Sequence, residues 1–175
     1  MLSGQIDKYL NDSKINGRFA KWDKPVVNVY IMPLVNQNDT LFWKQKVLKA
    51  IEAWNCVLLA NSLGIRFQVV ESPAGADVVV HWVKVGRVYE GMCKYVSVVN
   101  GVFKKISIDI GMPNEFSGKD TTELSIYCAI MHEFGHALGL GHGVEVDDIM
   151  YVPHKKNISV PSENDVYVLK QIYKL

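Results

Sequence analysis

Two histidines four residues apart, with a glutamate directly after the first, are the residues in this chain best suited to chemistry. On an α-helix, His132 and His136 would lie about 40° apart around the axis and about 6 Å apart along it, so both imidazoles can reach one metal ion. Glu133 would stand beside that ion, where its carboxylate can accept a proton from a metal-bound water. This spacing predicts a metal-dependent hydrolytic site.

A third histidine can join this pair only if the helix ends soon after it. On a continued helix, His142 would lie about 15 Å from His132 along the axis. Gly139 is predicted to end the helix, because glycine tolerates the left-handed conformation found at helix ends. Gly141 and Gly143 would then let the chain fold back at little steric cost.

Three neutral imidazoles with one open coordination position are typical of a catalytic zinc site rather than a closed structural one. Such a zinc ion lowers the pKa of a bound water to about 7 and polarises a substrate carbonyl. The implied reaction is hydrolysis of an amide by zinc-activated water, with Glu133 as general base and no covalent intermediate. The alternative is a chance match within an amphipathic helix.

The run HExxHxxGxxH over residues 132–142 resembles the metzincin clan of zinc peptidases, and Met150 resembles the methionine of that clan's Met-turn. The spacing to Met150, followed by Tyr151, is similar to that of the matrixins. The resemblance implies one catalytic zinc held by the three histidines, with Glu133 as the catalytic base. It also implies that Met150 forms an apolar floor beneath the metal, a role compatible with ordinary core packing, and that residues 151–154 help to wall the substrate pocket.

Some positions depart from the matrixin pattern. Gly143 stands where matrixins carry Ser or Thr, and Pro153 comes one place later than their proline. A structural zinc is not expected, because His81 is the only histidine before the active-site run, and His81 is expected to be packed or solvent-facing. Calcium binding stays open. The pair at 147–148 could touch a cation or support the turn, but solvation is the simpler expectation for these aspartates.

The elements needed to position this site follow from hydrophobic periodicity. A helix capped by Thr40 is predicted to run to Gly64, and the dipeptide Asn100-Gly101 suits a two-residue hairpin. Five strands are predicted, at residues 26–32, 65–70, 77–83, 92–99 and 102–110. The predicted fold is α/β (α+β), a metzincin-like catalytic domain with a twisted five-stranded mixed sheet, one antiparallel edge strand and a backing helix.

Two more helices complete the predicted domain. Residues 120–123 form a helix start that leads into the active-site run, and Ser162 heads a C-terminal helix. The apolar set of that last helix is Val166, Leu169, Ile172 and Tyr173. Residues 1–24 are predicted to be a lead-in segment with at most a short helix and no chemistry, followed by a single zinc metalloprotease domain over residues 25–175.

The resemblance also implies how a substrate binds. In metzincins an extended substrate pairs with an edge strand above the zinc, which would be residues 92–99 here. A plain hairpin strand is the alternative. The expected partner is a protein or peptide in extended form, and a monomer is expected. Two rival functions stay open: an inactive zinc-binding interaction module of the same fold, and a zinc hydrolase of non-peptide amides.

Composition excludes other classes of function. The chain has 19 Lys+Arg against 18 Asp+Glu and no long basic run, which argues against a nucleic-acid partner. No apolar run is long enough to span a membrane. The first residues lack the features of a secretory signal, which favours an intracellular protein or part of a longer precursor, whereas the resemblance implies secretion or the cell envelope. Three cysteines define no disulfide framework, and Cys56 and Cys128 are expected in the core.

Overall fold

A five-stranded mixed sheet organises the protein in the computed structural model, which describes residues 3–34, 37–84, 91–112, 123–153 and 158–174. The elements in chain order are α1 (Ser3–Asp12), β1 (Lys14–Ile15), β2 (Arg18–Phe19), β3 (Val26–Ile31), α2 (Gln37–Ala60), β4 (Arg66–Val70), β5 (Val78–Lys84), β6 (Gly91–Val99), β7 (Val102–Met112), α3 (Glu123–Ala137) and α4 (Glu163–Ile172).

The strand order of the main sheet is β4-β3-β5-β7-β6. The first three pairings are parallel and the last, between β6 and β7, is antiparallel. Asn100 and Gly101 join these two strands with φ angles of 52° and 78°, as a hairpin with positive φ at both turn positions requires. The predicted mixed sheet with one antiparallel edge strand is confirmed.

Helices α2 and α3 pack against each other, α2 beside β4 and α3 against β6 and β7. The fully buried Trp54 of α2 ties the two helices together, because its indole N–H donates to the carbonyl of Met131 at 2.9 Å. The predicted helix start was wrong: α2 begins at Gln37, so Thr40 lies inside the helix. The start of this helix was predicted from apolar periodicity, and residues 37–39 are polar, so the pattern did not include them.

The first residues of the chain pack on the core. Helix α1 has ten residues, and β1 and β2 form a small antiparallel sheet after it. Tyr9 is fully buried and its hydroxyl donates to Asp165 at 2.7 Å, while the indole N–H of Trp22 donates to the carbonyl of Ala137 at 2.8 Å. Where the domain begins stays a prediction, but these contacts attach the described part of residues 1–24 to the rest of the molecule.

The C-terminal helix α4 begins as its sequence predicts. The Ser162 hydroxyl accepts from the backbone N–H of Asp165 at 3.1 Å, and the Asp165 carboxylate accepts from the N–H of Ser162 at 2.7 Å. This capping box satisfies two of the unpaired N–H groups at the helix start. The buried face differs slightly from expectation, because Val168 is fully buried where Val166 is only half-buried.

The cysteines are all free. Cys128 is buried, as expected, but the prediction for Cys56 was wrong because this residue is exposed on α2. Among the described residues, no helix has the length and apolar character needed to cross a bilayer.

Candidate active site

The three histidines of the sequence motif meet at one point. Ring centroids of His132 and His136 on α3 lie 4.6 Å apart, and His142 lies 5.7 and 5.0 Å from them. One potential ligand nitrogen from each ring falls within 4.8 Å of the other two. The group runs from buried His132 to exposed His142, so the site is open to solvent on one side.

Backbone carbonyls orient the two helical histidines. Nδ1 of His132 lies 3.0 Å from the carbonyl oxygen of Ile149, and Nδ1 of His136 lies 2.7 Å from that of Leu140. A carbonyl only accepts hydrogen bonds, so each Nδ1 carries the proton in these contacts and Nε2 is the unprotonated ring nitrogen. Neutral imidazoles held in this tautomer are suited to metal binding.

Gly139 ends the helix as predicted. Helix α3 stops at Ala137, and Gly139 has a φ of 98°, a conformation that side chains with a Cβ rarely adopt. A second reason was not visible in the sequence: a Cβ on Gly139 would overlap the carbonyl oxygen of Ala20. The turn toward His142 therefore depends on both backbone conformation and close packing.

Glu133 is buried beside the histidines with only 4% of its surface exposed. Burial raises the pKa of Glu133 to about 8; the negative charge of Asp109 adds to the rise, and a hydrogen bond from the backbone N–H of Cys93 opposes it. Its Oε2 has no hydrogen-bond partner within the described part of the chain. A buried oxygen without a hydrogen-bond partner, on the residue directly after His132, suits a metal centre with an open, water-binding position.

Met150 is fully buried against helix α3. A Cβ on Gly135 would overlap the Met150 sulfur and come within 3.2 Å of its methyl carbon. Gly135 therefore lets the methionine pack against the backbone of α3 between the two helical histidines. The backbone carbonyl of Met150 also accepts from the N–H of Gly143 at 2.7 Å, which closes the loop after the third histidine.

Comparison with known proteins agrees with this geometry. The sequence model of the matrixin family matches residues 21–174. The chain belongs to the matrixin family. No curated protein sequence matches it. The matrixin match covers most of the chain and supports a domain of the zinc metallopeptidase type, with the His132, His136 and His142 cluster fitting the zinc site.

In this matrixin the turn between the third histidine and Met150 is built around Asp148. Its Oδ2 accepts from the N–H groups of Val144 at 3.0 Å and Glu145 at 2.8 Å, and its Oδ1 accepts from Ser162 Oγ at 2.6 Å and Asn164 Nδ2 at 3.0 Å. The expectation that residues 147–148 are both solvated was wrong for Asp148, which is 3% exposed. Asp147 is exposed, as expected.

The same contacts explain a departure from the matrixin pattern. A Cβ on Gly143 would lie 2.6 Å from the Cβ of Asp148 and 2.8 Å from its Oδ2. Gly141 is equally confined, because its Cβ would lie 2.5 Å from the carbonyl oxygen of Asp12. Neither glycine has positive φ, so close approach rather than backbone freedom accounts for both.

Residues that sequence reasoning missed make most of these contacts. Gly135 had one detectable signal in the sequence. Glycine inside a helix costs about 1 kcal/mol relative to alanine, so its presence there indicates a packing or functional constraint. Asp12 and Ala20 gave none, since they reach the site only by folding. The side chain of Tyr151 is half-buried, and its role as a pocket wall stays a prediction. His154 lies outside the described residues, and His81 lies on β5, half-buried.

Proposed function

We propose that this protein is a zinc-dependent endopeptidase that hydrolyses peptide bonds with Glu133 as general base. The observation that carries the proposal is the buried Glu133 carboxylate on the same helix as His132 and His136, with one oxygen that has no hydrogen-bond partner among the described residues. Membership of the matrixin family supports zinc as the metal. A catalytic site needs a base within reach of the attacking water, and an interaction module has no use for a buried carboxylate with one oxygen left without a hydrogen bond.

Each residue of the site has a separate proposed role. His132, His136 and His142 would hold the zinc ion with their Nε2 atoms. When bound, zinc polarises the scissile carbonyl and acidifies a water ligand. Glu133 takes up the proton of the attacking water and delivers it to the leaving amine.

The substrate would lie along β6. This strand is the edge of the sheet, paired on one side with β7, and its middle residues 94–96 are exposed. Gly91 on this strand lies against Glu133, because a Cβ there would come within 2.7 Å of the glutamate Cγ. An extended peptide that adds to this edge would therefore pass over the general base, with Tyr151 walling the pocket beside it. These placements favour a protein or peptide over a small amide.

The decisive experiment compares Glu133→Gln with Glu71→Gln, a matched change at a glutamate whose side chain is 90% exposed. Zinc content and cleavage of a peptide library and of a denatured protein are measured together. Glu133→Gln is expected to keep zinc and to lose about 100- to 10,000-fold in kcat, whereas Glu71→Gln is expected to match wild type.

Two outcomes would replace the proposal. Wild type and Glu133→Gln that both hold zinc and are equally inert would identify an inactive zinc-binding module. Cleavage confined to small amides, with long peptides refused, would identify a different hydrolase and remove the role of β6.

We also infer a secreted or cell-envelope location, on the support of the matrixin match alone. Fractionation of cells that produce the protein tests this, and detection only in the cytosolic fraction would contradict it.

A further inference from the structure

The end of helix α1 reaches the third histidine of the site. Asp12 is the last residue of that helix, and its Oδ2 accepts a hydrogen bond from the backbone N–H of His142 at 2.5 Å. The same oxygen lies 3.3 Å from Nδ1 of the His142 ring. One carboxylate thus contacts both the backbone and the side chain of His142.

The Asp12 side chain is 48% exposed, but the residue next to it is packed into the molecule. The neighbouring Ser13 is 3% exposed; its hydroxyl accepts from the N–H of Gly141 at 2.8 Å and donates to the carbonyl of Tyr9 at 2.9 Å. Tyr9 in turn bonds Asp165 on α4. Because a Cβ on Gly141 would overlap the Asp12 backbone, the two segments touch without a gap.

The three ligands differ in what holds their second nitrogen. His132 and His136 have backbone carbonyls at Nδ1, whereas His142 has a carboxylate. An ionised acceptor makes a stronger hydrogen bond than a carbonyl and makes the opposite ring nitrogen a better electron-pair donor. His142 is also the ligand that no helix orients, and it is the most exposed of the three. It therefore has the greatest need of an outside partner.

We propose that Asp12 is a positioning residue of the metal centre: its carboxylate accepts the Nδ1 proton of His142 and turns Nε2 toward the ion. Asp12 lies before the 21–174 segment matched by the matrixin family, so this part of the centre is supplied by a region that the family match does not include. The proposal rests on the zinc site of the proposed function but does not require that the protein cleave peptides.

The test measures zinc affinity of the full chain by competition with a chromophoric chelator, with no peptide present. Asp12→Asn keeps an oxygen that can accept the backbone N–H of His142 but removes the charge. It is expected to weaken zinc binding about 10- to 100-fold, the usual effect of losing an outer partner of a ligand, and Asp12→Ala is expected to weaken it at least as much. Asp7→Asn, at an exposed aspartate of the same helix, is the matched control and should bind like wild type.

Spectroscopic measurements separate positioning from general loop support. In zinc-loaded wild type, nitrogen-coupled NMR of the imidazoles should show the proton of His142 on Nδ1. The Co²⁺-substituted Asp12→Asn protein should show a shifted d–d absorption relative to Asp7→Asn, while the apo forms melt at the same temperature.

The proposal is overturned if Asp12→Asn binds zinc as tightly as wild type, or if Asp7→Asn loses as much affinity. It is equally overturned if NMR places the proton on Nε2. A wild type that binds zinc with these properties but cleaves nothing would sink the endopeptidase proposal and leave Asp12 in its role.

Discussion

The two halves of the active-site motif are built in different ways. His132, Glu133 and His136 lie within one helix, and their relative positions follow from its 3.6-residue period. The segment from Gly139 to Met150 contains little regular structure. It contacts Asp12, Ser13 and Ala20, and its own Asp148 bonds to the cap of α4. A local period places the first half, whereas contacts from distant parts of the chain place the second.

The largest effect is expected from a substitution at the junction between these halves. Gly139→Val puts a β-branched residue at a φ of 98° and against the carbonyl of Ala20, so it should weaken zinc binding on the order of 100-fold, nearly as much as losing a histidine. Gly75→Val is the matched control, because Gly75 has a φ of 78° but open space around its Cβ. Chelator competition on both variants checks this; normal affinity in Gly139→Val would show that the turn is formed elsewhere.

The next largest effect is expected within the second half alone. Asp148→Asn replaces one acceptor oxygen by an N–H₂ group, leaving one pair of hydrogen bonds unmade in a buried site at a cost of about 2 kcal/mol. Asp147→Asn, at the exposed neighbour, should be neutral. Urea unfolding of both apo proteins measures the difference. Equal stability of the two variants would mean that the Asp148 contacts do not hold the loop.

Gly135→Ala probes the contact between the halves. The added methyl would displace the Met150 sulfur, which should cost about 2 kcal/mol, partly offset by the roughly 1 kcal/mol that alanine gains over glycine in a helix. Combining it with Met150→Ala removes the overlap, so the double variant should be more stable than the sum of the single effects predicts. Strictly additive effects in urea unfolding would show that the two residues do not interact.

The smallest effect is expected at the N-terminal anchor. Tyr9→Phe removes the hydroxyl that donates to Asp165 and should lower the free energy of unfolding by about 1 kcal/mol. Tyr167→Phe, at a tyrosine of α4 that is 42% exposed, is the control and should change little. Thermal denaturation of both variants measures the difference in stability. If Tyr9→Phe matches the control, α1 is not anchored through this hydrogen bond.

Much of the fold was predictable because it depends on neighbours in sequence. The hairpin at Asn100-Gly101, the Ser162 cap and the strand periods were all read correctly, since each is a local preference of a few residues. The start of α2 was missed because its first turn is polar. The exposure of Cys56 was missed because an apolar run does not say which face of a helix meets the core.

In the site, the sequence by itself determined the chemistry: which residues can bind a metal, which can carry a proton, and where the helix that holds them must end. Only the tertiary structure decided why Gly135, Gly141 and Gly143 must be glycines, why Asp148 is buried, and that Asp12 reaches His142. Spacing along a helix is a property of a few consecutive residues. A close approach between residues that do not share a helix or strand, such as Asp12 and His142, exists only once the chain has folded.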